Sequence, residues 1–258
     1  MTYEILTTVF FTITGLVLAS FGNMLVYRLK EGESLLSRSH CEQCKHTLGV
    51  LDLIPVFSFV FLKGRCRYCR KRISVRESLG ELAFAGVAAA WGYLYAIGTI
   101  DEFAAAIYMT FTLAVFVIVI SDALYLEIPD EMQLVMVISG IVNIFIQGDL
   151  LWTIFNVGFA AGLLLITFLI TGDKKMGFGD VKLAFGLGFY LNYFYFTLAI
   201  LISSIAGIIF AVLVSRGDRE KLLKYRVPYG SFLGATSLII LLALVGGGYD
   251  PLVFERFF

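Results

Sequence analysis

Charge is scarce in this sequence: 20 Lys and Arg with 20 Asp and Glu make up 16% of 258 residues, against 59% hydrophobic residues. So little charge excludes an ordinary soluble domain and points to a chain that lives in a bilayer. No basic stretch precedes the first apolar run, Ile5 to Val26, which follows Glu4 and is about as long as a spanning helix. A membrane anchor is expected there, not a cleaved signal peptide. Cysteine is confined to one segment, 28–78. The chain also lacks a convincing inverted repeat and any acid near the middle of a predicted span, which argues against an ion-coupled transporter using Asp122, Asp180 and Glu81 as its path.

What is there is a series of long apolar runs. At about 20 apolar residues per crossing, they predict eight transmembrane helices at roughly 5–27, 79–98, 103–121, 132–147, 152–170, 181–196, 197–215 and 228–246. The fold class is therefore an all-α polytopic membrane protein. Only Asn192 and its aromatic neighbours separate the sixth run from the seventh. With the amino terminus outside, the inside segments are 28–78, 122–131, 171–182 and 215–227. They hold every Lys and Arg except Arg256: eleven between Arg28 and Arg76, then Lys174, Lys175 and Lys182, then Arg216, Arg219, Lys221, Lys224 and Arg226. This bias is the positive-inside pattern, so both termini are expected outside and the polar segments in the cytoplasm. The expected parts are a first helix over 1–27, an insert over 28–78 and a seven-helix membrane domain over 79–258. Close helix packing is expected at Gly158-x-x-x-Gly162 and Gly186-x-Gly188.

The insert carries Cys41-x-x-Cys44 and Cys66-x-x-Cys69, with twenty-one residues between the pairs. Each pair can present two thiolates to one tetrahedral ion, and two such knuckles make a four-cysteine zinc ribbon. A segment of about fifty residues with few large apolar side chains needs such a staple. The cytoplasm does not favour stable disulfides there. The alternative is a pair of dithiol redox centres, which would make the chain a membrane thiol-disulfide oxidoreductase. Such centres normally face an oxidising compartment. His40 and His46 flank the first pair and are expected as solvated neighbours, because four thiolates already fill the site.

Acids at the membrane edge supply the other candidates. Asp180 follows Gly177-Phe178-Gly179 and opens an apolar run, while Asp122 ends the run from Phe111 to Ser121. A carboxylate at the edge of a hydrocarbon layer is disfavoured unless solvated, paired or protonated. The two segments between these acids read as one membrane hairpin that returns the chain to the same side. Two aspartates brought together can share a proton, one acting as base on water while the other donates to a scissile carbonyl. The plainer reading is an interface solvated by headgroups and by Lys182. Gly177 and Gly179 are expected to allow positive φ and a close approach by an extended peptide. Glu81 would lie about one turn inside the second span, lining a polar cavity or reaching back to Arg72 or Arg76. Asn23 has the same two readings, a site role or interhelical hydrogen bonding. Asp130 has a structural explanation, capping the fourth helix with Gln133 closing the capping box.

These residues together resemble the type IV prepilin peptidases, polytopic aspartic proteases of bacterial pilus, type II secretion and competence systems. The likeness runs almost end to end: Ser20-Phe21-Gly22-Asn23 and Arg28-Leu29, the two Cys pairs around Ile54-Pro55 and Leu62-Lys63-Gly64-Arg65-Cys66, Glu81, Asp122 with Pro129-Asp130, Gly177 through Leu183, and Pro228-Tyr229-Gly230. The resemblance implies that Asp122 and Asp180 are catalytic. Many members carry a further acid two residues after the first; Leu124 stands there in this chain. It also implies cleavage of a short basic leader after a glycine, and in many members N-methylation of the new amino terminus with S-adenosylmethionine. No dinucleotide-type glycine fingerprint accompanies that second activity, so it rests on the resemblance alone. The partners expected are prepilin or pseudopilin precursors and membrane lipid, with no nucleic acid.

Overall fold

The computed structural model describes residues 1–147, 150–172, 176–215 and 226–252. Helices dominate: α1 (Thr2–Glu31), α2 (Phe57–Phe61), α3 (Val75–Ala96), α4 (Glu102–Tyr125), α5 (Asp130–Gln147), α6 (Leu150–Thr171), α7 (Phe178–Leu187), α8 (Tyr193–Ser215) and α9 (Tyr229–Gly246). Among the described residues there is no β-strand, only two isolated bridges in the insert. All eight apolar runs appear as helices, and five of them, α1, α4, α6, α8 and α9, are long and apolar enough to cross a membrane. Lys174, Lys175, Arg256 and the basic stretch from Arg216 to Lys224 lie outside the described residues.

One span is shorter than its hydropathy suggests. The run expected at 181–196 is a helix of ten residues, α7. At 1.5 Å per residue it covers about 15 Å, half of a ~30 Å hydrocarbon core. Asn192 ends the run: its Oδ1 accepts the N–H groups of Phe194 and Tyr195, each at 3.0 Å, and so caps α8. Asn156 of α6 accepts the Tyr193 N–H at 3.1 Å beside it. Gly188 lets the intervening turn lie on α6, since a Cβ there would stand 2.6 Å from the Val157 Cα. A hydropathy pattern registers the aromatic residues of this turn but not its cap.

The chain forms two compact units, Met1–Ala105 and Ala106–Phe258. In the first, α1 and α3 run antiparallel on small residues. A Cβ on Gly15 would stand 2.4 Å from the Ala88 Cβ, and one on Gly92 would stand 2.5 Å from the Phe11 Cβ, so each glycine is what lets the backbones approach. α1 ends at Gly32, left-handed at φ 66°, with the Gly32 and Glu33 N–H groups both returning to the Arg28 carbonyl. The buried Arg28 guanidinium then clamps the following loop, donating to the Leu35 and Ser37 carbonyls at 2.6 Å each.

The second unit packs in the same manner. Gly186 faces Met136, Gly140 faces Phe189, and Gly234 of α9 faces Val115 and Val119 of α4. The Ser139 and Tyr190 hydroxyls bond to each other at 2.5 Å and reach back to the Met136 carbonyl. The packing expected of Gly186 and Gly188 is present, whereas a Cβ on Gly158 or Gly162 would meet no atom within 4 Å. Among the described residues, those two glycines make no close contact.

Candidate functional site

Asp122 and Asp180 meet within the second unit. Asp122 lies near the carboxyl end of α4, and its Oδ2 accepts the Ser231 N–H at 2.6 Å and the Ser231 hydroxyl at 3.0 Å. That hydroxyl donates to the Val119 carbonyl as well, at 2.8 Å. The geometry has a simple origin. Pro228 precedes α9 and has no side chain that could cap it, so the free N–H groups of the first turn are met by a carboxylate from another helix. Asp180 occupies the third position of α7, where the helix dipole also favours an anion.

The two acids converge on Gly230. A Cβ built there would stand 3.2 Å from Asp122 Oδ2 and 3.3 Å from Asp180 Oδ1, with Ile128 Cδ1 only 2.7 Å away. Both carboxylates are buried. Among the described residues no Lys or Arg pairs with either. Lys182, read from the sequence as their solvating neighbour, instead donates to Asp130 Oδ1 at 2.7 Å at an exposed position. Asp130 is the first residue of α5, and this ion pair ties it to α7. The pair of aspartates is thus left without a neutralising cation on the described surface.

The glycines before Asp180 do not take left-handed backbone. Gly177 has φ −76° and ψ 144°, extended backbone open to any residue, and Gly179 is not among the positive-φ glycines. The expectation of left-handed backbone is therefore corrected. A Cβ on Gly179 would lie 3.4 Å from Ile128, so Ile128 sits between Gly179 and Gly230 as an apolar wall beside the carboxylates. Ser231, Gly230 and Ile128 were not singled out from the sequence as site residues. The visible signal was the Pro-Tyr-Gly-Ser start of a helix with no cap of its own.

The four cysteines also converge. Their Sγ atoms all lie within 4.8 Å of one another, and Cys41 Sγ is 4.0 Å from Cys69 Sγ. A tetrahedral Zn2+ with ~2.3 Å bonds needs S···S separations of about 3.8 Å, so the donor set fits that ion. The two halves are the same structure repeated. In one, the Cys41 N–H donates to the His46 carbonyl, the Lys45 N–H to the Cys41 carbonyl, and the Leu48 N–H to the Ser39 carbonyl. In the other, Cys66 donates to Lys71, Arg70 to Cys66, and Ile73 to Gly64. Lys45 and Arg70 take positive φ at the matching position, 57° and 60°. Burial opposes ionisation of the Cys41 thiol, but the backbone N–H groups of Cys44 and Gln43 together with the Cys66 and Cys44 thiols hold it down at about 7. Neither histidine joins the cluster: His46 stacks on Tyr68 at 3.6 Å, and His40 faces Glu33. Asp52 ties the middle of the insert to the second knuckle, accepting from the Gly49 N–H, Arg67 Nε and the Tyr68 hydroxyl.

A model of the bacterial peptidase A24 N-terminal domain matches residues 13–95, and one of the type IV leader peptidase family matches 106–212. The prepilin leader peptidase/N-methyltransferase of Aeromonas salmonicida (strain A449) is 31% identical over 81% of this chain and 72% of its own. The chain belongs to the type IV leader peptidase family. The prepilin leader peptidase/N-methyltransferase of Pseudomonas putida is 29% identical, covering 90% of this chain and 88% of its own. A type 4 prepilin-like proteins leader peptide-processing enzyme of Escherichia coli O78:H11 is 29% identical, covering 90% and 93%. No solved structure matches the chain. As a family member it is a peptidase that processes type IV prepilin leaders, and with its apolar helices it is a multi-pass inner-membrane protein.

For a leader peptidase of this family, Glu81 and Asn23 fall in the first unit. The buried Glu81 carboxylate accepts the Val56 N–H at 2.8 Å, with the side chains of Ser20 and Asn23 in hydrogen-bonding reach. Its partner is the insert, in place of the Arg72 or Arg76 considered from the sequence. Asn23 also donates to the Glu77 carbonyl at 3.4 Å, which is its interhelical role.

Proposed function

We propose that Asp122 and Asp180 are the catalytic pair of a membrane aspartic endopeptidase that removes the short basic leader from prepilin or pseudopilin precursors, after a glycine, at the cytoplasmic face. The observation that carries this reading is their convergence on Gly230, buried and without a cation on the described surface. One carboxylate takes a proton from water, whose oxygen attacks the scissile carbonyl carbon as the other gives its proton to the carbonyl oxygen. Collapse of the tetrahedral intermediate then breaks the C–N bond, and a proton passes to the leaving amine. The pair titrates as a unit, so the roles are not divided between the residues. The Ser231 N–H and hydroxyl fix the orientation of Asp122 throughout, while Gly177 leaves open space beside Asp180.

Zinc held by Cys41, Cys44, Cys66 and Cys69 is the proposed structural ion of the insert. All four thiols gather at one point, as a single ion requires and two separate redox pairs do not. Replacing Cys41 and Cys44 together by Ser should therefore remove about one zinc per chain, measured by metal analysis of the purified protein. Unchanged metal content would exclude this site.

N-methylation of the new amino terminus is proposed from the names of the relatives, with S-adenosylmethionine as the methyl donor. One experiment tests peptidase, sidedness and methylation together. Inverted membrane vesicles, with the cytoplasmic face outward, are given a precursor peptide bearing a basic leader, a glycine and an apolar helix. Mass spectrometry should show cleavage after the glycine, and a shift of about +14 Da only when the methyl donor is present. Cleavage by right-side-out vesicles alone would overturn the cytoplasmic placement. No cleavage by folded, zinc-containing protein would overturn the proposed activity.

A further inference from the structure

The insert has an apolar edge that its own fold does not bury. Phe57, Val60 and Phe61 of α2 point outward, Phe61 with 80% of its surface exposed, and Val50 and Leu51 do the same on the preceding turn, Val50 at 82%. An exposed group of large apolar side chains this size marks an interaction surface.

Its depth indicates what covers it. Val56, immediately before α2, donates its N–H to Glu81, and Glu81 is the seventh residue of α3, so about 9 Å along the axis from the start of that helix. The same carboxylate is in reach of Ser20, eleven residues before the end of α1, or about 16 Å. The chain between the Cys pairs therefore dips back along the two helices. At this level Leu79, Leu82 and Phe21 are exposed on α3 and α1, as lipid-facing residues are. The turn is held under strain, with Val56 at φ 60°, ψ −50° and the Phe57 N–H donating to the Pro55 carbonyl at 2.6 Å. A β-branched residue adopts that backbone only where the surroundings enforce it.

Charge completes the case. From Phe57 to Arg76 there are seven basic residues, Lys63, Arg65, Arg67, Arg70, Lys71, Arg72 and Arg76, and no acid. Between Arg28 and Val56 four basic residues meet four acids. The two knuckles share one backbone, so the excess on the second is not needed to build it. Arg65 and Arg72 even stand opposite each other in its bridge, a like-charge pair that an anionic partner relieves. A basic leader would be repelled by this face, whereas anionic headgroups match it.

We infer that residues 50–72 form a bilayer-docking surface, with Val50, Leu51, Phe57, Val60 and Phe61 in the acyl boundary and the basic second knuckle on anionic phospholipid headgroups. The test places a photo-crosslinking amino acid at Phe61, or at exposed Glu42 of the first knuckle, in the full-length protein reconstituted in vesicles of phosphatidylcholine and phosphatidylglycerol. A lipid adduct at Phe61 and not at Glu42 is expected, with zinc content as the check on folding. Replacing phosphatidylglycerol by phosphatidylcholine should lower the yield at Phe61 by about fivefold or more, the weight of a single basic residue at an anionic surface. Adducts to the chain itself or to an added precursor peptide, equal lipid labelling at both positions, or no adduct at Phe61 would each overturn the proposal. An unchanged yield without the anionic lipid would overturn its headgroup part.

Discussion

Asp122→Asn and Asp180→Asn should each abolish leader cleavage, with a loss of at least about 10²–10⁴-fold, the contribution of a positioned acid or base. Asparagine suits this test at position 122 in particular. Its Oδ1 can still accept from the Ser231 N–H and hydroxyl, so the first turn of α9 keeps the cap that Asp122 supplies in the wild type. What the amide cannot do is take or give the shuttled proton. Asp122→Ala removes both functions, and its defect should therefore include lower thermal stability of the membrane domain, by about 0.5–2 kcal/mol for a lost cap. Cleavage by the vesicle assay, beside a stability measurement in detergent, separates the two. A single Asn variant that retains the wild-type rate would remove that residue from the catalytic pair.

The sequence made the class of the fold and both carboxylates legible for one reason: charge in an apolar chain is costly, so its positions carry information. Each long run gives a helix, and the acids that interrupt the pattern at 122 and 180 are the ones the structure brings together. The Cys pairs were readable as a pair of knuckles from their spacing, and the structure gathers their four Sγ atoms within 4.8 Å of one another. Hydropathy fails where a polar backbone need is met inside an apolar run. Asn192 caps α8 in the middle of such a run, and α7 is half a span in consequence. Glu81 shows a second limit. Its position inside a span was visible, but its partner is a backbone N–H at Val56, twenty-five residues earlier, which no side-chain pattern announces. Gly179 shows a third: its residue type suggests positive φ, and its backbone does not take it.

Gly230 is the sharpest instance, and its substitution gives the second large effect. By helix propensity alone, Gly230→Ala should stabilise α9, since alanine is favoured over glycine by about 1 kcal/mol in a helix. The structure predicts the opposite for activity. The new methyl would enter 2.7 Å from Ile128 Cδ1 and a little over 3 Å from an oxygen of each aspartate. It would occupy the space between the carboxylates and force them apart. Each carboxylate oxygen would have to give by a few tenths of an ångström; since a misplacement of about 1 Å costs about 10²-fold in rate, the expected fall in kcat is about fourfold to tenfold, with membrane insertion and zinc content unchanged. Gly234→Ala is the control, one turn further along the same helix. Its methyl would meet only Val115 and Val119, at 3.4 Å and 3.3 Å, so most of the activity should remain. Adding Ile128→Val to Gly230→Ala removes the apolar clash but leaves the methyl beside both acids. A rate still lowered in that double variant locates the defect in the spacing of the carboxylates, and recovery of the rate would instead assign it to packing against Ile128.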